Sequence, residues 1–349
     1  MDGWPDSRFI DLVGITTPII QAPMLGAGAQ MMIGVAKAGG LGSLACATLS
    51  LESIRAEVQS FREACEQPLN LNFFCHQPPE HDEACAQQWK MLFKPYYTEL
   101  EVDFDAPTPV SSRAPFDEAT CLLVEELRPE VVSFHFGLPP PELLARVKGC
   151  GAKILSSATT VEEAQWLERN GCDAIIAMGY EAGGHRAMFL SSELTTQLGT
   201  FVLVPQIADA VSVPVIAAGG IADARAIAAA FALGASAVQI GTAYLFCPQA
   251  KLAKPHYRAL REASSSDTAL TNLFTGRPAR GIVNRVMREL GPLNAQAPAF
   301  PLAGGVLLPL KDKSEPTGSG DFINLWAGQG FALSPGRRAE LSSYELTQR

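Results

Sequence analysis

Eight short apolar runs, most followed by a stretch of helix length, constrain this chain more than any other feature of its sequence. The runs occupy residues 18–22, 41–45, 69–74, 131–136, 153–157, 174–178, 213–218 and 237–240. They are rich in Ile, Val, Leu and Ala and almost continuously apolar, as strands buried on both faces of a parallel sheet must be. Amphipathic segments at 30–38, 51–65, 140–148 and 161–170 fall between them, the last stopped by Gly171. Strand–helix alternation on this scale predicts an α/β fold, a (β/α)8 TIM barrel. A doubly wound open sheet is the competing arrangement.

Two segments exceed a minimal barrel. Residues 76–127, after the third strand, form a Pro-containing insertion with one expected helix around Trp89–Phe93. After the eighth strand, residues 251–316 read as helical and then Pro/Gly-rich, a lid or small second domain, with 311–320 an exposed polar loop. The expected division is therefore a barrel over 1–250, carrying the insertion, and a C-terminal helical or lid segment over 251–349 that packs on it.

Composition narrows the class. Of 349 residues, 47% are hydrophobic and 18% charged, which excludes a disordered chain. The net charge of -9 argues against a nucleic-acid partner, which needs a basic stripe. It leaves room for a phosphorylated small molecule held by backbone N–H groups. Residues 226–250 carry no charge, long enough to cross a bilayer, yet Gly234, Ser236, Gln239, Gly241 and Thr242 interrupt them. They read as a buried helix and a buried strand, and no membrane segment is expected. The start of the chain, with Asp2, Asp6, Arg8 and Asp11, has no signal-like apolar core. The eight cysteines are scattered without a C-x-x-C pair, so reduced thiols and a cytoplasmic location are expected. Self-association is compatible with such a chain.

In a barrel the chemistry lies at the C-terminal ends of the strands. The seventh run ends in Gly219-Gly220 and the eighth in Gln239-Ile240-Gly241-Thr242, followed by a helix beginning near Asp223 after the former. Small-residue turns at these two places, with a helix dipole behind them, suit a phosphate-bearing ligand. No G-x-G-x-x-G opens a helix after an early strand, so a Rossmann site is not expected. The sixth run leads through Met178 into Gly179-Tyr180-Glu181-Ala182-Gly183-Gly184-His185-Arg186. A histidine presented by paired glycines at the barrel mouth is suited to proton abstraction near neutral pH. Arg186 beside it is expected to serve a surface ion pair. Asn72 has both a donor and an acceptor for a heterocycle edge. His76 and His135 are candidates for a second polar group; Cys75 reads as a buried thiol more than a nucleophile. Three arginines between Arg277 and Arg285 reach an anionic ligand or lock the C-terminal segment. No histidine or carboxylate spacing supports a metal site.

The strings Gln21-Ala22-Pro23-Met24, Asn72-Phe73-Phe74, Phe134-His135-Phe136-Gly137, Glu181-Ala182-Gly183-Gly184-His185-Arg186, Ala218-Gly219-Gly220-Ile221 and Gln239-Ile240-Gly241-Thr242 together resemble the nitronate monooxygenase family, formerly 2-nitropropane dioxygenases. Gly276-Arg277-Pro278-Ala279-Arg280-Gly281 and Trp326-Ala327-Gly328-Gln329-Gly330 resemble that family's C-terminal portion. The resemblance implies an FMN-dependent oxidoreductase that oxidises alkyl nitronates, and neutral nitroalkanes, with molecular oxygen. It implies His185 as catalytic base. It implies FMN contacts from Asn72, Gly183, Gly220, Gln239, Ile240, Gly241 and Thr242. Beside them, Ala22, Pro23, Met24, Met178, Gly184 and Gly219 are expected to line the same cofactor site, and His135 and Arg277 to meet the substrate. Met178 and Ala187 depart from the family pattern, which commonly has Gln and Gly there. An FMN-dependent NAD(P)H:quinone reductase, an enoyl-thioester reductase and, more distantly, a flavin-free phosphate-binding barrel are the alternatives.

Overall fold

The computed structural model describes residues 3–80, 82–110 and 113–349; Asp2, and His81, Ser111 and Ser112 of the insertion, lie outside the described residues. Eight parallel strands form the barrel: β1 (Ile19–Gln21), β2 (Gly42–Ala45), β3 (Leu69–Phe74), β4 (Val131–His135), β5 (Lys153–Ala158), β6 (Ala174–Met178), β7 (Val215–Ala218) and β8 (Ala237–Ile240). Each pairs with its sequence neighbour, β8 returns to β1, and an Ile20–Leu41 bridge closes β1 against β2. The TIM barrel expected from the apolar runs is the fold.

Alternation along the strands divides the core in two. Ile20, Leu155, Ile176 and Ile216 point inward and meet Phe9 and Val13 of the N-terminal helix Arg8–Val13, which plugs the bottom of the barrel. Leu71, Phe73, Val132, Ile175 and Val238 point outward and are covered by the surrounding helices. That apolar burial, at roughly 25 cal/mol per Å², is the main stabilising term. The uncharged stretch 226–250 resolves into the helix Ala224–Ala232 and strand β8. No helix among the described residues is long and apolar enough to cross a membrane. All eight cysteines are free thiols.

The insertion and the C-terminal segment share a core of their own. Helices Glu83–Leu92 and Lys94–Glu99 place Trp89, Phe93, Tyr96 and Tyr97 against Leu273, Phe274, Val306, Leu307 and Phe322. Trp89 Nε1 donates to Ala303 O (2.9 Å), and Tyr97 Oη donates to Val306 O (2.8 Å), so both buried polar tips are satisfied. The chain then returns to the barrel wall, where Tyr244 Oη and Thr347 Oγ1 lie 2.7 Å apart.

Two expectations for the C-terminal part are corrected. Residues 311–320 are not simply an exposed loop: the helix Leu308–Ser314 and the turn Glu315–Thr317 occupy most of them. Pro309 in the first turn favours the helix, and Leu310 is fully buried beneath the polar face. Nor is the segment after residue 251 helical until it becomes loop. Following the helix Lys254–Glu262, strands Thr268–Thr271 and Ala279–Ile282 pair antiparallel, and Gly184–His185 adds a third strand.

Candidate active site

The C-terminal ends of the strands surround a cavity of about 330 Å³. Its wall includes Ala22, Pro23 and Met24 after β1, Asn72 on β3, His135 on β4, Met178 on β6, Gln239 on β8, and His185. The ionisable groups on it are Arg113, Lys251, Lys311 and three histidines; among the described residues no Asp or Glu lines it. In a chain of net charge -9, this is a local field that selects anions.

At one end the backbone is glycine-lined. Gly219 and Gly220 hold φ of 108° and 73°, a region that side chains with a Cβ avoid, and Gly241 and Thr242 face them from β8. The helix after β7 contributes less than expected. Asp223 caps it, accepting from the Arg225 and Ala226 amides at 3.1 and 3.2 Å, so those N–H groups are not available to a ligand.

Deeper in the barrel, Ala218 and Gln239 are in register, as are Ile20 and Gln239. Gln239 Oε1 is buried without a hydrogen-bond partner. An orphaned acceptor of this kind needs a ligand donor or a water. Asn72 Nδ2 donates to Ser133 O (3.2 Å) and Ser133 Oγ (2.9 Å). Because a carbonyl only accepts, this fixes the amide orientation and leaves Oδ1, rather than both ends, for a ligand. These residues fit the polar edge of a flavin, and the glycine end fits its phosphate.

His185 sits in an aromatic enclosure. Phe300 stands edge-on to its ring at 5.3 Å, Trp326 is at 5.6 Å, and Phe74 and Phe136 are each at 6.0 Å. Phe136 reaches this position through a left-handed backbone, φ 71°. His185 is not carried on a free turn. It pairs with Ala279, and Gly184 with Arg280, so the C-terminal sheet fixes its main chain. Burial, and then the positive charge of Arg113, hold its pKa well below the ordinary value, so the ring is neutral at neutral pH.

The loop carrying His185 is anchored from below. Arg186 is fully buried, not part of a surface ion pair: Nη2 donates to Met178 O (2.7 Å), Nη1 to Gly179 O (2.5 Å), and Nε to Gln197 Oε1 (3.0 Å). The open C-terminal carbonyls of β6 supply the acceptors a local reading cannot see. Glu181 accepts from Thr200 N (2.8 Å) and Thr200 Oγ1 (2.9 Å). Met178 packs with Ala182 and Ala187 in one small apolar cluster, so the two departures from the family pattern lie in the same patch.

Two expected site residues lie off the cavity wall. Ile240 follows inward-facing Gln239 and so points outward into the helix layer. Arg277 lies with its guanidinium 4.2 Å above the Phe136 ring, behind the enclosure. His76 is buried and stands edge-on to Phe300 at 4.7 Å, pushed down to about 4 by burial. Burial drives the Cys75 thiol well above its ordinary range, which removes it as a nucleophile. His135 lines the cavity, but both its nitrogens have protein partners.

The sequence reading missed Arg113, Thr275 and His256. Arg113 is the only Lys or Arg between Lys94 and Arg128, a signal that was present in an otherwise acidic stretch. Thr275 Oγ1 lies 2.9 Å from His185 Nε2, and His256 Nε2 donates to Trp326 O at 3.0 Å. Nothing local marks either contact.

Comparison with known proteins agrees with the geometry. The family model for nitronate monooxygenase matches residues 6–341. A nitronate monooxygenase of Pseudomonas aeruginosa is 41% identical, covering 97% of this chain and 96% of its own. A probable nitronate monooxygenase of Bacillus subtilis is 34% identical over 93% of each. Among solved structures, nitroalkane oxidase from Streptomyces ansochromogenes superimposes with a TM-score of 0.87 at 35% identity, covering 98% of this chain and 96% of that one. FabK from Thermotoga maritima superimposes with a TM-score of 0.71 at 26% identity, covering 98% and 92%.

Proposed function

Because the chain belongs to the nitronate monooxygenase family, we propose that this flavin-dependent oxidoreductase uses FMN and molecular oxygen to oxidise alkyl nitronates, and nitroalkanes through their nitronates. The observation that carries the reading is a neutral His185 on a cavity wall whose charged groups are all cationic. A nitronate is a small anion. Arg113 attracts it and keeps His185 unprotonated, ready to accept the acidic C–H proton of a neutral nitroalkane. Phe74, Phe300 and Trp326 around His185 exclude water from the transfer.

Gly219, Gly220, Gly241 and Thr242 would hold the FMN phosphate. Asn72 and Gln239 would meet the polar edge of the ring system, with Ala22, Pro23, Met24, Met178, Gly183 and Gly184 around it. Bound there, FMN supplies the electron acceptor that connects the substrate to oxygen. The insertion and the C-terminal segment serve as a lid over this mouth, and the free thiols fit a cytoplasmic enzyme.

The test is direct. Purified protein should carry a flavin absorbance and consume oxygen when given propionate 3-nitronate. Under anaerobic conditions NADH should leave the flavin oxidised. Rapid bleaching by NADH, with no oxygen uptake on nitronate, would replace this reading with a quinone or enoyl-thioester reductase.

A further inference from the structure

We propose that Thr275 is a positioning residue that sets the tautomer of His185, holding the proton on Nε2 and leaving Nδ1 as the atom that accepts the substrate proton. The inference deepens the reading of His185 as base and rests on it.

Thr275 is fully buried in the turn that follows the strand Thr268–Thr271. The turn is clamped. Gly276 holds φ of 91°, and Pro298 O and Phe300 N occupy the space where any Cβ would stand, so no other residue fits. The same backbone carries Phe300, whose ring stands against His185. His185 is fixed independently by its pairing with Ala279 and by the bond from His135 to its carbonyl. Neither partner can drift without disturbing the small sheet.

The hydroxyl has two neighbours and one proton. Thr275 Oγ1 lies 2.9 Å from His185 Nε2 and 3.4 Å from Arg277 O. The arrangement that satisfies both neighbours gives the hydroxyl proton to the Arg277 carbonyl, which only accepts, and turns a lone pair to Nε2. Nε2 therefore donates, and in a neutral ring Nδ1 keeps its lone pair. Among the described residues Nδ1 has no hydrogen bond from the protein, while His185 lines the cavity. The accepting atom is thus turned toward the space a ligand would fill.

The step balances within this frame. The C–H proton of the nitroalkane passes to Nδ1, and the electron pair of the broken bond moves onto the nitro group, giving the nitronate anion. His185 becomes imidazolium, with Nε2–H still on Thr275 and Nδ1–H beside the new anion.

The experiment is nitrogen NMR of the flavin-loaded enzyme labelled with 15N-histidine, with His185 assigned through His185→Asn. Wild type should show a protonated Nε2 and an unprotonated Nδ1 at neutral pH. Thr275→Val should lose that preference and cut kcat on a neutral nitroalkane at least about tenfold, with KM for a pre-formed nitronate changing less. Thr275→Ser should restore both. A wild-type ring protonated on Nδ1 overturns the proposal, and so does a folded Thr275→Val that keeps the Nε2 tautomer. If Thr275→Val does not fold, the wild-type and Thr275→Ser spectra still decide. An enzyme inert toward nitronates but with His185 protonated on Nε2 would sink the functional reading and leave the tautomer assignment standing.

Discussion

His135 Nε2 lies 3.2 Å from the backbone carbonyl oxygen of His185, so a side chain on β4 holds the main chain of the proposed base. Its other nitrogen, Nδ1, is 3.3 Å from Ser157 Oγ on β5. Since the carbonyl accepts, Nε2 carries the proton, and burial keeps the ring neutral, its pKa pushed down to about 4. Replacing His135 by Phe preserves a ring and removes the donor. Turnover of neutral nitroalkanes should fall on the order of tenfold while flavin content is unchanged, since misplaced catalytic groups lose rate steeply. Unaltered turnover would show that the small sheet alone positions His185.

His185→Asn removes the proposed base. Activity on neutral nitroalkanes should drop on the order of a hundredfold or more, as general-base removal does. Nitronates, already deprotonated, should be affected mainly in KM. Steady-state kinetics on matched nitroalkane and nitronate pairs read the difference.

Arg113 is the largest positive influence on His185 after burial. A nearby cation makes protonation harder, so removing it makes protonation easier and raises the pKa. Arg113→Gln should therefore move the acidic limb of the kcat/KM profile for nitroalkanes to higher pH, and raise KM for nitronates. A limb that stays in place would mean that the aromatic enclosure alone depresses the base.

Gly328 docks against the loop that carries His185. A Cβ built there would stand 2.8 Å from Glu181 O and 2.9 Å from Gly183 N, both backbone atoms that cannot yield separately. Gly328→Ala should separate the C-terminal string from this loop and lower stability by about 1–3 kcal/mol. Weaker flavin retention should accompany the loss. Thermal unfolding and the free-flavin fraction after gel filtration measure the two effects.

Stability should fall on acidification before the carboxylates titrate. Burial lowers His76, His135 and His256 from 6.5 to about 4 each. A group whose folded pKa is depressed contributes stability above its unfolded pKa and loses it as pH falls through the folded value. The window is therefore about pH 6.5 down to 4, with a loss on the order of 2 kcal/mol per histidine toward its lower end. Urea unfolding between pH 7.5 and 4.5 tests this, and His256→Gln should flatten the dependence.

Much of the barrel and its ligand end was legible because the signals are local. Runs 69–74, 174–178 and 237–240 coincide with β3, β6 and β8, since a strand buried on both faces is written as a continuous apolar run. Alternation within β4 puts Ser133 and His135 on one face, and small-residue turns, Gly219-Gly220 and Gly241-Thr242, mark the ends of β7 and β8. What had no local signature was pairing across distance. Gly184–His185 is a strand only because Ala279 and Arg280 lie beside it, and two residues carry no period. Arg186 donates its hydrogen bonds to strand-end carbonyls, whereas its sequence neighbours suggested solvent.

The sequence by itself determined a set of buried parallel strands, glycine-rich turns at the ends of the last two and a histidine after the sixth, because burial pattern and backbone freedom are properties of short segments. Only the tertiary structure decided how that histidine is held. Its environment comes from Phe300 and Trp326, its charge neighbour from Arg113, and its hydrogen-bond partner from Thr275, ninety positions away. Proton position and pKa depend on what surrounds an atom in space, and the chain brings those surroundings together only when it folds.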